Sequence, residues 1–273
     1  MAEIQSVSSP AEWAQLCRKY RDEGKTIGFV PTMGALHNGH GELMRRSCAE
    51  NDITLISIFV NPAQFNDAKD LEQYPRTVED DMAFAAGIGV KAVFLPTSEN
   101  MYPDGYTYRV QESEISTVME GEFRPGHYDG MLTVVLKLLL LTRAHKAYFG
   151  EKDFQQFVLI RRMQDAFFLS EALDTQVLMC PLVREPDGLA MSSRNARLST
   201  QGREKAPELY RILRTSADAA EAQTLLEKAG FEVEYILDTD QLSPGENRRF
   251  AAVFLEGIRL IDTLDGTEIE HAS

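Results

Sequence analysis

The chain has 273 residues, 44% hydrophobic and 26% charged, enough apolar material for a sizeable core in one large domain or two ordinary ones. That excludes a disordered or a fibrous chain. Lys and Arg number 28 against 42 Asp and Glu, so the net charge is −14; this argues against a broad nucleic-acid-binding face and restricts anion recognition to local basic spots.

Cys17, Cys48 and Cys180 are few, far apart and without a CxxC pair. They predict reduced thiols in a cytoplasmic protein rather than a disulfide framework or a structural zinc site. The N-terminal MAEIQSVSSPAEW has no basic region followed by an apolar run, so no secretory signal is expected. In chain order, Ser9-Pro10-Ala11-Glu12 predicts a capped helix start, continued by Trp13, Leu16, Cys17 and Tyr20 at helical spacing and ended by Gly24. TIGFVP (26–31) predicts a buried strand, then a Gly-containing loop and a helix over about 39–50. ITLISIFV (53–60) is the clearest strand, continuous and β-branched as in the middle of a parallel sheet. A helix with Val78, Met82 and Ala85 precedes a strand at KAVFLP (91–96). A helix over about 128–142 leads to KAYFG (146–150). Its MLTVVLKLLLL (131–141) is too short for a bilayer and contains Lys137, so a buried helix is expected and no membrane span. A helix with Phe154, Phe157, Val158 and Ile160 leads to QVLMCPLV (176–183).

This βαβ rhythm predicts an α/β fold, a doubly wound, Rossmann-like parallel sheet over residues 1–182. Residues 183–273 predict a smaller α+β C-terminal lid domain. A polar loop (184–195) precedes a helix with Leu209, Ile212 and Leu213. FEVEYILD (231–238) and AAVFLEGIRLIDTL (251–264) are strand-like, with a turn at Ser243-Pro244-Gly245 between them.

Three segments carry chemistry. Pro31 to His40 joins a buried strand to a helix, where a helix N-terminus offers unpaired N–H groups to phosphate. Gly34 and Gly39 allow close backbone approach, and His37 and His40, three apart, are expected on one face of the first turn. Alone, each histidine is equally a surface or satisfied core residue, and HxxH without a third ligand is a weak metal signal; the strand–Gly-loop–helix junction favours a nucleotide. Gly150-Glu151-Lys152-Asp153 also follows a strand and opens a helix: Lys152 suits a polyphosphate, Asp153 a ribose or Mg²⁺, though charged residues there are often only dipole partners. Met191-Ser192-Ser193-Arg194 offers two hydroxyls and a guanidinium to phosphates, or merely caps a helix. Asn61 and Gln64 are neutral amides suited to a hydroxylated small substrate.

Together these segments closely resemble the pantothenate synthetase (pantoate–β-alanine ligase) family. The match runs through VPTMGALHNGH (30–40), SIFVNPAQFN (57–66) with DLEQYPRT (70–77), RPGHYDG (124–130) with TVVLKLL (133–139), AYFGEKDFQQ (147–156) with IRRM (160–163), and VREPDGLAMSSRN (183–195). A lone HxGH is weak; five segments in family order are specific.

The resemblance implies an ATP-dependent ligase that forms a pantoyl adenylate and pyrophosphate, then transfers the acyl group to β-alanine with release of AMP. It implies that Met33, Gly34, Ala35, Leu36, His37, Asn38, Gly39 and His40 form an ATP loop, with His40 as proton donor and His37 on the phosphates. Gln64 and Gln156 would bind pantoate, with Gln64 also near β-alanine. Gly150, Glu151, Lys152 and Asp153 would hold ribose and phosphates, Val183 would meet adenine through its backbone, and Met191, Ser192, Ser193 and Arg194 would close over the triphosphate. His40, His37, Lys152 and Arg194 would be the catalytic set. Mg²⁺ would arrive with ATP rather than in a protein metal site, and a homodimer is implied. Asn38 and Ala63 depart from the family's usual acidic residue and Leu. Two other readings stay open: a nucleotidyltransferase of the same superfamily with another acceptor, and a silent nucleotide-binding module. A tRNA-binding synthetase fragment conflicts with the −14 charge.

Overall fold

The computed structural model describes residues 4–270. The first three residues of the N-terminal stretch read for a signal, and the last three of the expected second domain, lie outside the described residues. The chain divides into two compact units. One comprises the residues up to Leu36 with His40–Gly150 and Gln155–Cys180; the other comprises His37–Gly39, Glu151–Phe154 and the residues from Pro181 onward.

The strands of the first unit are β1 (Gln5–Val7), β2 (Ile27–Thr32), β3 (Ile53–Ile58), β4 (Ala92–Phe94), β5 (Lys146–Gly150) and β6 (Gln176–Cys180). They form one all-parallel sheet in the order β1-β4-β3-β2-β5-β6, the expected doubly wound architecture. Helices α1 (Pro10–Asp22), α2 (Asn38–Glu50), α3 (Ala68–Glu72), α4 (Val78–Ile88), α5 (Ser98–Met101), α6 (Glu120–Phe123), α7 (His127–Thr142), α8 (Phe154–Ala166) and α9 (Leu169–Leu173) connect and flank the strands. Local sequence sets their ends. Ser9 Oγ accepts from the Glu12 N–H at 3.4 Å with Pro10 at the first position of α1, and Gly89, at φ +112°, stops α4.

Alternation along the strands sends side chains to two faces. Val30, Ile56, Ile58, Val93 and Tyr148 pack with Leu43 and Met44 of α2 and Ala85 of α4. On the opposite face α1 and α7 lie together against β2, and Trp13 of α1 stacks on Phe94 at 5.1 Å between centroids. The Trp13 indole donates to Thr142 Oγ1 of α7 at 2.9 Å. No helix among the described residues is long and apolar enough to cross a membrane.

The sheet splays at one place. β2 pairs with β3 through six residues, but with β5 only at Gly28↔Lys146 and Phe29↔Ala147. The cause is in the sequence. Thr32 C=O accepts from Phe59 on the β3 side, whereas Ile27 C=O accepts from His145 on the β5 side. By alternation Pro31 faces β5, and it has no N–H to give. The carboxyl ends of β2 and β5 therefore part, at the point where successive crossovers leave in opposite directions.

The second unit holds α10 (Thr200–Lys205), α11 (Glu208–Thr215), α12 (Ala219–Lys228) and an antiparallel sheet of β7 (Glu232–Thr239), β8 (Arg248–Leu255) and β9 (Ile258–Asp265). Its core joins Leu209, Ile212 and Leu213 to Leu226, Phe231, Val253, Leu260 and Leu264. The stretch 251–264, expected as strand-like throughout, is instead a hairpin: Glu256 and Gly257, at φ +54° and +73°, form a two-residue turn. The edge strand β1 and the helix α12, capped by Asp218, were not expected.

One glycine decides how α7 meets the rest of the first unit. A Cβ at Gly130 would lie 2.2 Å from the Ala63 carbonyl oxygen and 2.6 Å from the Gln64 nitrogen, in the 3-10 turn Pro62–Gln64. Gly130→Ala is expected to destabilise the protein by about 1–3 kcal/mol, as overpacking does. Gly87→Ala in α4, where a Cβ meets nothing within 4 Å, should be neutral or stabilising. Urea midpoints of the two variants check the contrast.

Candidate functional site

In the first unit the chain leaves β2 through Met33-Gly34-Ala35-Leu36. Gly34 and Ala35 adopt positive φ, +86° and +49°, which turns successive N–H groups inward. Those groups meet a residue distant in sequence. Asp81 of α4 accepts from Ala35 N–H at 2.9 Å and from Leu36 N–H at 2.7 Å. Gly34 N–H is 3.2 Å from Thr32 Oγ1.

Beside this loop, past β3, lie the amides of Asn61 and Gln64, both buried. Their orientation follows from partners that can play only one role. Asn61 Nδ2 faces the Gly130 carbonyl at 3.1 Å, which only accepts; Asn61 Oδ1 faces the Ala63 N–H at 3.3 Å, which only donates. The same Nδ2 donates to Gln64 Oε1 at 3.0 Å. Gln64 therefore presents its NH₂, which lies 3.2 Å from Met33 Sδ. Tyr102 completes the chain by donating to Asn61 Oδ1 at 2.6 Å, and burial pushes its phenol pKa up, so it stays a donor.

The segment Arg124–Gly130 supports Gln64 from behind. His127 Nδ1 lies 2.7 Å from the Gln64 carbonyl and Nε2 lies 3.2 Å from an Arg124 Nη. A carbonyl must receive and a guanidinium must give, so His127 carries its proton on Nδ1 and is neutral. Of the two glutamines at the start of α8, Gln155 points inward, donating to the Ile115 and Val118 carbonyls at 2.8 Å each. Gln156, the residue expected to hold substrate, is half-buried, and its amide has no hydrogen-bond partner among the described residues.

In the second unit, His37 does not lie on the first turn of a helix as expected. It precedes α2 and caps it: Nδ1 accepts from Gly39 N–H at 3.1 Å. A Cβ at Gly39 would fall 2.9 Å from the His37 ring, so a larger residue there would have to push that ring aside. Burial lowers the His37 pKa to about 4, helped by the Lys152 charge and opposed by Asp153. At neutral pH the ring is uncharged with its proton on Nε2. His40, which belongs to the first unit, sits in the first turn of α2, partly exposed.

The turn after β5 splits its work. Lys152 Nζ lies 4.0 Å from Asp153 Oδ1, and above Gly150 there is open space. Glu151, grouped by resemblance with the nucleotide contacts, has both oxygens engaged: Leu182 N–H at 3.1 Å and Arg248 Nη at 2.8 Å, with the Arg248 guanidinium 4.1 Å over the Phe154 ring. It braces the turn. The Val183 carbonyl accepts from Met191 N–H at 3.1 Å, which folds the loop before Ser192–Arg194 back on itself, and Ser192 Oγ accepts from Arg194 N–H at 3.3 Å. Arg184 anchors that loop through two bonds to the fully buried Asp262, at 2.7 and 3.0 Å.

Asp81, Tyr102, His127 and Gln155 carried no role in the sequence. RPGHYDG flagged His127 as part of a resembling segment, but nothing local tied it to Gln64, 63 residues away.

A doubly wound parallel sheet with polar loops at the carboxyl ends of β2, β3 and β5 defines an α/β protein of the nucleotide-binding architecture. The pantoate-beta-alanine ligase family model matches residues 5–265, and the chain belongs to that family. It is 49% identical to the pantothenate synthetase of Bdellovibrio bacteriovorus, over 95% of this chain and 98% of the relative, and 46% identical to that of Cereibacter sphaeroides, over 90% and 93%. Among solved structures it is similar to the Francisella tularensis pantoate-beta-alanine ligase complexed with beta-gamma ATP and beta-alanine (TM-score 0.88, 37% identity, 96% of this chain and 97% of that one). It is also similar to the pantothenate synthetase of Thermus thermophilus (TM-score 0.85, 39% identity, 96% and 99%).

Because the folded pKa of His37 lies below the ordinary 6.5, the folded state binds fewer protons than the unfolded state between those values, and stability falls as pH drops from about 6.5 towards about 4. Nitrogen-15 spectra at pH 7 should show His37 as the Nε2–H tautomer. The acid-side fall in urea midpoint should be smaller in His37→Gln.

Proposed function

We propose that this chain condenses pantoate with β-alanine through an enzyme-bound pantoyl adenylate. A pantoate carboxylate oxygen attacks the α-phosphorus of ATP and pyrophosphate leaves. The β-alanine amine then attacks the acyl carbon, AMP departs and the amine loses a proton. The geometric observation that carries this reading is the buried Asn61–Gln64 amide pair, which leaves Gln64 presenting its NH₂ with only the weak acceptor Met33 Sδ beside it, at 3.2 Å. Two N–H donors suit the hydroxyl and carboxylate oxygens of pantoate and hold them with little reorganisation. Gln156, half-buried with an uncommitted amide, is the second pantoate contact in this proposal.

The remaining roles follow family membership and belong to the same proposal. His40, His37, Lys152 and Arg194 stabilise charge on the phosphates, with His37 acting as a neutral Nε2–H donor. Met33, Gly34, Ala35, Leu36, Asn38 and Gly39 shape the ATP loop, Gly150 and Asp153 hold ribose, and Val183 meets adenine. Met191, Ser192 and Ser193 complete the phosphate contacts, while Glu151 supports from beneath. Residues 1–182 form the ATP- and pantoate-binding part and residues 183–273 the smaller C-terminal part. Mg²⁺ rides on the ATP phosphates and neutralises their charge; Asp153, a carboxylate on an exposed turn beside Lys152, fits a water-mediated contact to it. A cytoplasmic homodimer completes the proposal by likeness to the family.

The test is AMP release with ATP and Mg²⁺, omitting pantoate and β-alanine in turn. Sustained AMP formation only with both substrates is the expected result. No AMP from any combination, in protein that calorimetry shows to bind ATP, would overturn the reading in favour of a nucleotidyltransferase with another acceptor. His40→Ala should lower turnover at least ~10²-fold, the usual scale for lost transition-state stabilisation.

A further inference from the structure

Asp81 is 3% exposed, 46 residues from Ala35, and belongs to none of the segments that touch substrate in the reading above. Its two oxygens meet the N–H groups of Ala35 and Leu36 and the Thr77 hydroxyl, the last at 3.2 Å, all of them neutral donors. No lysine or arginine is paired with it among the described residues. Burying a carboxylate without a cation is costly unless fixed dipoles replace its water. Here the dipoles come from the β2–α2 loop and from the first turn of α4.

The loop needs something in return. Gly34 and Ala35 are successive residues at positive φ, and Ala35, at +49°, holds that conformation against a penalty of roughly 1 kcal/mol. Two successive N–H groups turned inward in this way make an anion-binding concavity, the device by which loops grip phosphate. In this chain the concavity is already filled, by the protein's own carboxylate.

We propose that Asp81 is a positioning residue for the ligase reaction: its carboxylate occupies the anion seat of the Gly34–Leu36 turn and holds the ATP loop in its binding shape before the nucleotide arrives. The inference rests on the ATP-loop reading given above. It also says where the nucleotide does not bind. With the Ala35 and Leu36 N–H groups committed to Asp81, the phosphates must find their donors elsewhere. Without the carboxylate the loop samples other shapes, and ATP must select the competent one, which weakens apparent affinity by the competent fraction.

The experiment compares the parent chain with Asp81→Asn and Gly34→Ala. The first keeps shape but sets an amide NH₂ against an N–H donor. The second leaves the charge but puts a Cβ 3.0 Å from Asp81 Oδ2 and from Ile58 Cγ2, at a φ of +86°. Each should raise the KM for ATP in the AMP-release assay, and the calorimetric Kd for ATP, by about tenfold or more, the scale of one lost charge-assisted hydrogen bond. At saturating ATP, kcat should fall less than about threefold, because saturating nucleotide restores the competent loop. General damage to the fold would instead lower kcat through the active fraction and leave KM unchanged. Folded variants with parental KM and Kd for ATP would overturn the proposal; if Asp81→Asn does not fold, Asp81→Ser, whose hydroxyl can accept from one of the two N–H groups, takes its place beside Gly34→Ala. A parent chain that binds ATP without releasing AMP overturns the ligase reading instead, and the calorimetric comparison still decides Asp81.

Discussion

Parallel strands hydrogen-bonded along their whole length leave no room between their carboxyl ends. In this chain the room is made between β2 and β5, where pairing stops after Phe29↔Ala147 because Pro31 has no N–H to continue it. The chain winds one way from β2 through β3 to β4 and the other way from β5 to β6, so the connections after β2 and β5 diverge from neighbouring strands. Met33 to His40 leaves one of those strands and Glu151 to Asp153 the other. Both loops assigned to the nucleotide before Val183 thus start from strands whose pairing this missing donor ends.

Around that opening the first unit uses buried neutral groups with fixed polarity rather than buried charge. Gly130, Ala63 and Tyr102 dictate which way Asn61 points, and Asn61 dictates Gln64. His127, neutral between a carbonyl and a guanidinium, holds the Gln64 backbone. A buried polar group with a missing partner costs more than a satisfied one contributes, so such a network tolerates one arrangement only. Two buried carboxylates depart from this: Glu120, 3.5 Å from the Arg124 guanidinium, and Asp81, met by neutral dipoles.

The doubly wound sheet was legible because its strands are short, apolar and separated by helical periodicity, and because Pro31, Gly34 and Gly39 punctuate the first crossover. The hairpin of β8 and β9 was not. Phe254-Leu255-Glu256-Gly257-Ile258 keeps an apolar pattern through the turn, and Glu at positive φ is not a turn residue one reads from sequence. α12 was missed because its signal is a polar cap, Asp218, before a run of small and polar residues. At the site, Gln64 and Asn61 were visible beside the clearest strand, but Asp81 was not. Its meaning depends on a contact across 46 residues, and Glu79-Asp80-Asp81 looks like an ordinary acidic first turn. His37 was placed on a helix face when it is the cap; the residue type was informative, the register by one position was not.

The packing of Trp13 has an optical consequence. It is the chain's only tryptophan, fully buried in the first unit between Phe94 and Thr142, and the second unit has none. Its emission therefore reports on the parallel sheet and its helices alone, whereas far-ultraviolet circular dichroism sums over both units. Denaturation curves from the two signals coincide only if the units unfold as one, so a single native fluorophore, without labelling, measures how strongly the halves of the molecule are thermodynamically coupled.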